Sequence, residues 1–366
     1  MPREDWLCRI VTTGFLLAIQ CAALAGGGAR VLEAPNIEDM AALPDTRWVV
    51  GSGMSVGERQ PGALYGIHPD GDVVAIYPHD RPSEGRSTAS SMNCPGEVPV
   101  ATFQPHGLAR HLDEGTATLY VVNHGARESV EIFSLSGGDG TRPPTAQWRD
   151  CLPLPDHTSG NSVAVADDGR IFVTASGRAF AGESPSGKDS EAGIPPSGVL
   201  VREPSGQWWT ITVDGLAMTN GIVWDEQSGN LFVADWSGGA VWQVDPDNPE
   251  RARKVPLGFL ADNLRRGADG MIWVAGHVAS VPAVMECYLS EDAHCPLDSV
   301  VAGIDPGDLS VVCSQRIPAT TFPAATVALP VGQSLWLGTF RGDKVLMAPR
   351  NSKTNADAGH CIRIRP

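Results

Sequence analysis

Basic residues are scarce in this chain: 27 Lys and Arg stand against 42 Asp and Glu, a formal charge of −15 over 366 residues. A surface that acidic repels phosphate backbones and anionic lipid, which excludes nucleic acid and membrane surfaces as partners. No Cys-x-x-Cys pair occurs among the eight cysteines, so a zinc site has no support. Long hydrophobic runs are missing too, apart from one near the start. That run, Ile10 to Leu24, follows Arg3 and Arg9, contains Thr12, Thr13 and Gln20, and ends in Ala23-Leu24-Ala25. It is too short and polar for a retained membrane span and reads as a signal peptide over residues 1–25. Residues 26–366 are then a single mature domain, secreted or periplasmic, with no stable membrane span after cleavage. Six cysteines remain in it, enough for three disulfides in an exported chain, with a local Cys287–Cys295 loop and a chain-closing Cys313–Cys361 the expected pairs.

What is present is 42% hydrophobic residues, enough apolar material for a large core, together with 41 Gly and 29 Pro. Such frequent punctuation suits many short strands joined by turns and disfavours helix bundles. The clearest pattern is a repeat. Six short apolar segments each carry a central aromatic: TRWVVGSG, ATLYVVNH, GRIFVTAS, GNLFVADW, GMIWVAGH and QSLWLGTF. The aromatics are Trp48, Tyr120, Phe172, Phe232, Trp273 and Trp336, spaced 41 to 72 residues apart. Several follow a turn signal such as Asp168-Gly169 or Asp269-Gly270, and most precede an alternating run such as SVEIFSL or KVLMAP. Strand, aromatic strand and amphipathic strand in six copies predict an all-β, six-bladed β-propeller. The stretches 81–98 and 181–197 read as loop insertions within repeats.

Ten to fourteen residues before each aromatic stands a pair at one phase of the repeat: Glu38-Asp39, His106-Gly107, Asn161-Ser162, Asn220-Gly221, Asp262-Asn263 and Ala325-Thr326. Inner strands of a propeller surround a central channel, so one phase converges on one axis. The ring holds two carboxylates and three amides: Glu38, Asn161, Asn220, Asp262 and Asn263. Oxygen donors without a thiolate suit Ca²⁺, which takes about six to eight oxygens in irregular geometry.

These segments resemble the paraoxonases, calcium-dependent lactonases and arylesterases on a six-bladed propeller, related more distantly to the SMP-30 gluconolactonases. The likeness rests on FQPHGLARHLDEGTATLYVVNHGARESVEIFSL (103–135), MTNGIVW, ADNL and NIEDMAALPDTRWVVGSG, and it spans roughly residues 36–348. It implies a catalytic calcium on Glu38, Asn161, Asn220, Asp262 and Asn263, and a catalytic dyad of His106 with His124. It also implies a second, structural calcium on Asp39, the carbonyl of Leu108 and position 162. Ser162 stands there in place of the family's aspartate, which weakens or removes that site.

The expected reaction is hydrolysis of a small-molecule lactone or aryl ester, with the metal polarising the carbonyl and His106, near neutral, accepting a proton from water. His277 ends the fifth aromatic strand and is placed at the channel mouth as a substrate-binding residue. A sugar lactonase of the SMP-30 kind, or a propeller that binds a ligand without chemistry, are the alternatives. Gly53-Met54-Ser55-Val56-Gly57 matches the nucleophile elbow of serine hydrolases, but Pro61 and Gly62 deny it the helix that the motif needs.

Overall fold

The computed structural model describes residues 6–11, 18–23, 28–55, 60–78, 93–113, 115–140, 142–177, 196–290, 295–351 and 359–364. The expected insertions 81–98 and 181–197 lie mostly outside the described residues. So does much of the 1–25 segment, of which Trp6–Val11 and Ala18–Ala23 pair as a two-stranded antiparallel ribbon apart from the other sheets.

Six four-stranded antiparallel sheets form the blades of a propeller. Their inner strands are Ile37–Ala42, Pro105–Asp113, Thr158–Val165, Thr219–Asp225, Leu260–Arg266 and Ala325–Val331, for blades 1 to 6 in chain order. The aromatic segments supply the second strand of every blade, as the repeat predicts, with Trp48 immediately ahead of Val49–Gly53. These strands are apolar on both faces because each is sandwiched between neighbouring blades; Leu231, Phe232, Val233 and Ala234 are all fully buried. The apolar side chains accordingly sort into one wedge between each pair of adjacent blades. One wedge gathers Trp48 and Leu64 of blade 1 with Phe103 and Phe133 of blade 2, and another joins Phe232 of blade 4 to Leu264 of blade 5.

Arg30–Glu33 closes the ring by pairing with the third strand of blade 6, Lys344–Pro349, so the first described strand of the propeller completes the last blade. Three disulfides staple the periphery: Cys94–Cys151, Cys287–Cys295 and Cys313–Cys361. The second matches the predicted local loop. The third fastens the C-terminal segment to the outer strand of blade 5, Val311–Ile317, rather than closing the ring. No helix among the described residues is long and apolar enough to cross a membrane. Blade 5 carries a helix after its second strand, Val281–Leu289, whose Ser280 caps it by accepting from the Ala283 N–H.

Candidate functional site

Every pair singled out in the sequence sits where the ladder between first and second strands is interrupted. In blade 3, Gly160 pairs with Ala175 and Val163 with Val173, so Asn161 and Ser162 together oppose Thr174. Asn220-Gly221 and Asp262-Asn263 do the same in blades 4 and 5, and His106-Gly107 in blade 2. In blades 1 and 6 the extra residue is Glu38 and Thr326. Each is a β-bulge, which frees residues from regular pairing and re-aims their side chains. Six bulges at one phase turn six edges of backbone into one inward-facing ring. Gly107 and Gly221 permit it: a Cβ on Gly107 would lie 2.5 Å from the Asn161 carbonyl, and one on Gly221 2.5 Å from the Asn263 Cα.

A cavity of about 420 Å³ opens over this ring. Its floor takes one residue from each inner strand: Glu38, His106, Asn161, Asn220, Asp262 and Thr326. Asn263 is fully buried beneath them and donates from Nδ2 to Glu38 Oε1 at 2.5 Å. Thr326 occupies the sixth position, where the sequence pair begins with Ala325, and its hydroxyl donates to the Glu38 carbonyl at 2.7 Å. The acceptor atoms Glu38 Oε2, Asn161 Oδ1, Asn220 Oδ1 and Asn263 Oδ1 are buried without a hydrogen-bond partner. Burial, reinforced by the charges of Glu38 and Asp39, pushes Asp262 well above the usual carboxylate range. Among the described residues no three His, Cys, Asp or Glu side chains converge as a metal-binding group. Here two carboxylates are supplemented by amide oxygens.

His106 and His124 meet at the cavity wall, with Nδ1 of His106 2.7 Å from Nε2 of His124. The other nitrogen of His124, Nδ1, lies 3.0 Å from both carboxylate oxygens of Glu128. Glu128 is itself held by the Gly160 N–H at 3.1 Å and the Ser159 hydroxyl at 3.3 Å. A carboxylate accepts only, so His124 carries its proton on Nδ1 and accepts at Nε2 from His106 Nδ1–H, which turns His106 Nε2 toward Glu38. That Nε2 lies 3.5 Å from Glu38 Oε1. Burial works to lower the His106 pKa, but Glu38, Asp39 and Glu128 outweigh it and hold the ring above the ordinary histidine value.

Glu128 was not among the sequence candidates. It precedes the third strand of blade 2, Ser129–Gly137, where it resembles any solvated loop acid. The loop that carries it is fixed by Asn123, which accepts from the Gln104 N–H at 3.0 Å and donates to the carbonyls of Gly125 and Arg127 at 2.9 and 3.1 Å. His277 lies in the cavity wall rather than at an open mouth. It is 1% exposed, packs edge-on against Phe340, and places Nδ1 3.8 Å from Asp262 Oδ2. Burial drives its pKa down to about 4, against the opposing influence of the Ala324 backbone carbonyl.

The upper wall is apolar. Met54, Met218, Trp236 and Phe340 face Val284 and Met285 of the helix Val281–Leu289. The Cys287–Cys295 disulfide anchors that helix in the same apolar cluster. Arg341 donates to the Tyr288 carbonyl at 2.6 Å and faces the Tyr288 ring at 5.8 Å, holding the last helical turn over the opening.

The remaining sequence candidates, Asp39, Leu108 and Ser162, lie below the ring. Asp39 Oδ2 accepts from the Leu108 N–H at 2.9 Å and forms an ion pair with Arg265. Burial raises the Asp39 carboxyl to about 7, opposed by Arg265 and assisted by Glu38. Ser162 is fully buried and its hydroxyl oxygen has no hydrogen-bond partner.

Among solved structures, a gluconolactonase from Xanthomonas campestris superposes with a TM-score of 0.53 at 19% identity, covering 95% of this chain and 98% of that one. A luciferin-regenerating enzyme superposes with a TM-score of 0.53 at 10% identity, covering 93% and 100%. At such identities the likeness is one of fold. No curated protein matches the chain in sequence. The arylesterase family model matches residues 34–341, a span that contains all six inner strands, the dyad and Glu128. The chain belongs to the arylesterase family.

Proposed function

We propose that the chain is a calcium-dependent hydrolase of aryl esters or lactones, with Glu38, Asn161, Asn220, Asp262 and Asn263 as the residues that hold Ca²⁺. One observation carries this reading. Four buried acceptor oxygens, one of Glu38 and three of amides at the same phase of the repeat, have no donors, Glu38 and Asp262 repel one another, and buried polar groups in folded proteins are otherwise satisfied. A hard cation supplies the missing partner, and an irregular set of carboxylate and amide oxygens suits Ca²⁺ better than the octahedral demands of Mg²⁺. When bound in such a nest, calcium supplies Lewis-acid polarisation of a carbonyl oxygen.

The chain's own groups account for the rest. His106 Nε2 faces the ring, and the Glu128–His124 chain fixes its tautomer and orientation. Glu38 is the chief charge that raises the His106 pKa, and a cation held by Glu38 would offset that charge and favour Nε2 as a proton acceptor. Water attacks the carbonyl carbon, its proton passes to Nε2, and the C–O bond to the phenol or ring oxygen breaks as that oxygen leaves. His277, neutral because it is buried, flanks Asp262 and orients the substrate. The apolar upper wall receives an aryl or alkyl group and excludes water from the reacting carbonyl. Three disulfides agree with an exported protein working outside the reducing cytoplasm.

The test is hydrolysis of phenyl esters, γ- and δ-lactones and gluconolactone by purified protein, first with calcium and then with chelator. Chelator-sensitive turnover restored by Ca²⁺ is the expected result. Preference for gluconolactone would favour a sugar lactonase, and bound calcium without turnover would favour a ligand-binding propeller.

A further inference from the structure

Directly beneath the ring, blades 1, 2 and 5 turn a second set of oxygens toward the axis: the Asp39 carboxylate and the carbonyls of Met40, Leu108 and Leu264. Such a nest of hard donors is what holds a structural cation. Here a side chain fills it. Arg265 Nε donates to the Met40 carbonyl at 2.6 Å, Nη1 to the Leu264 carbonyl at 2.7 Å and Nη2 to the Leu108 carbonyl at 2.9 Å. Nη2 also pairs with Asp39 Oδ2, and the residue is 8% exposed. We propose that the guanidinium of Arg265 replaces a second, structural metal, so that the folded chain has one divalent-cation site and not the two that its family resemblance implies.

Three features carry the assignment. A guanidinium stays charged at any working pH, so a metal ion bonding Asp39 Oδ2 would meet a fixed positive charge already on that oxygen. The third position of such a site holds Ser162, a neutral hydroxyl that contributes no charge. Finally, three buried carboxylates, Glu38, Asp39 and Asp262, face one guanidinium, and when all are ionised the residual charge is that of a single divalent ion.

Placement shows what the substitution achieves. A second cavity, about 340 Å³, is lined by the later residues of all six inner strands, including Leu108, Ile222 and Leu329. Both cavities therefore lie on the axis, one lined by Glu38 and Asp262 and the other by Arg265. Arg265 ties three blades across that axis with bonds that no chelator removes.

The assignment of the lower nest to Arg265 stands without the calcium reading, and only the count of one site rests on it. It is tested by equilibrium dialysis against Ca²⁺ with elemental analysis, on the wild-type protein and on Asp262→Ala. One calcium per wild-type chain and none in Asp262→Ala is expected. Two in the wild type, or one retained in Asp262→Ala, would overturn the proposal. None in either would overturn the calcium reading above while agreeing with a guanidinium-filled lower nest. Melting in chelator is the second measurement. In chelator Arg265→Met should unfold at lower temperature than wild type, and calcium should raise both proteins by the same increment without closing that gap, whereas wild-type melting would show that the guanidinium does not hold the blades. If Arg265→Met fails to fold, the wild-type stoichiometry still decides.

Discussion

Two side chains of one type, His106 and His277, share the cavity and are driven in opposite directions. His277 is buried and His106 part-buried, which disfavours the imidazolium, but His106 faces Glu38 and chains through His124 to Glu128, whereas His277 packs against Phe340. A histidine whose folded pKa is lowered is stabilising while neutral. The unfolded chain takes up a proton near 6.5 that folded His277 refuses until about 4. Stability is therefore complete above 6.5 and is lost as pH falls through that window, with a slope approaching one proton. Urea melts between pH 7 and 4 should show that slope, and His277→Phe should flatten it. Glu128 acts through His124, so Glu128→Gln should lower kcat on the order of a hundredfold, within the range of general-base effects. It should also shift the acidic limb of the kcat pH profile and leave calcium affinity within about twofold. An unchanged pH profile would remove Glu128 from the positioning role. Most of the floor was legible at this scale because acids, amides and His106 recur at one phase of a repeat. Glu128 and Arg265 were not, since each takes its meaning from partners on other strands or blades that no local pattern encodes.

Individual elements explain why that phase matters. A regular inner strand would alternate its side chains between faces, and the bulge is what turns one or two residues per blade toward the axis. The sequence marks the bulges only indirectly, through polar pairs set within apolar strands and the glycines at 107 and 221. Gly221→Ala would press a methyl group onto the Asp262–Asn263 backbone, 2.5 to 2.6 Å away, and backbone cannot yield as a side-chain tip can. Overpacking of this kind costs about 1–3 kcal/mol. A denaturant titration should show that loss, and calcium dialysis should show weakened binding because Asp262 and Asn263 move with the strand. The helix Val281–Leu289 escaped the sequence reading because nine residues containing Pro282, in a segment bearing Cys287 and Cys295, carry little helical periodicity. It is held by its place over the cavity and by the disulfide more than by propensity. Met285→Ala should raise KM for phenyl esters on the order of tenfold while changing kcat little, the effect of losing apolar contact with substrate. An equal loss for gluconolactone and phenyl esters would show that this face of the helix does not discriminate.

The whole molecule is a ring whose blades touch their neighbours through apolar wedges and are joined across the axis by the polar groups of the ring and by Arg265. The six-fold repeat made the ring legible, since identical units that cannot bury their faces alone must stack. The closing strand Arg30–Glu33 was not, because four residues carry no aromatic signature and pair with a segment three hundred positions away. Such a ring opens by parting wedges, and anything spanning the axis opposes that opening. Under the calcium proposal, one ion on Glu38, Asn161, Asn220, Asp262 and Asn263 joins blades 1, 3, 4 and 5, complementing the tie of Arg265 among blades 1, 2 and 5. A ligand that binds only the folded ring stabilises it by about 2.7 kcal/mol at a hundredfold excess over Kd. For a chain of this size that corresponds to a rise of about 5 °C in Tm. Thermal melts in chelator and in calcium should differ by that order, and Glu38→Ala should melt identically in both. Equal Tm values for the wild type would mean that no cation bridges the blades, and Arg265 would remain the tie across the axis.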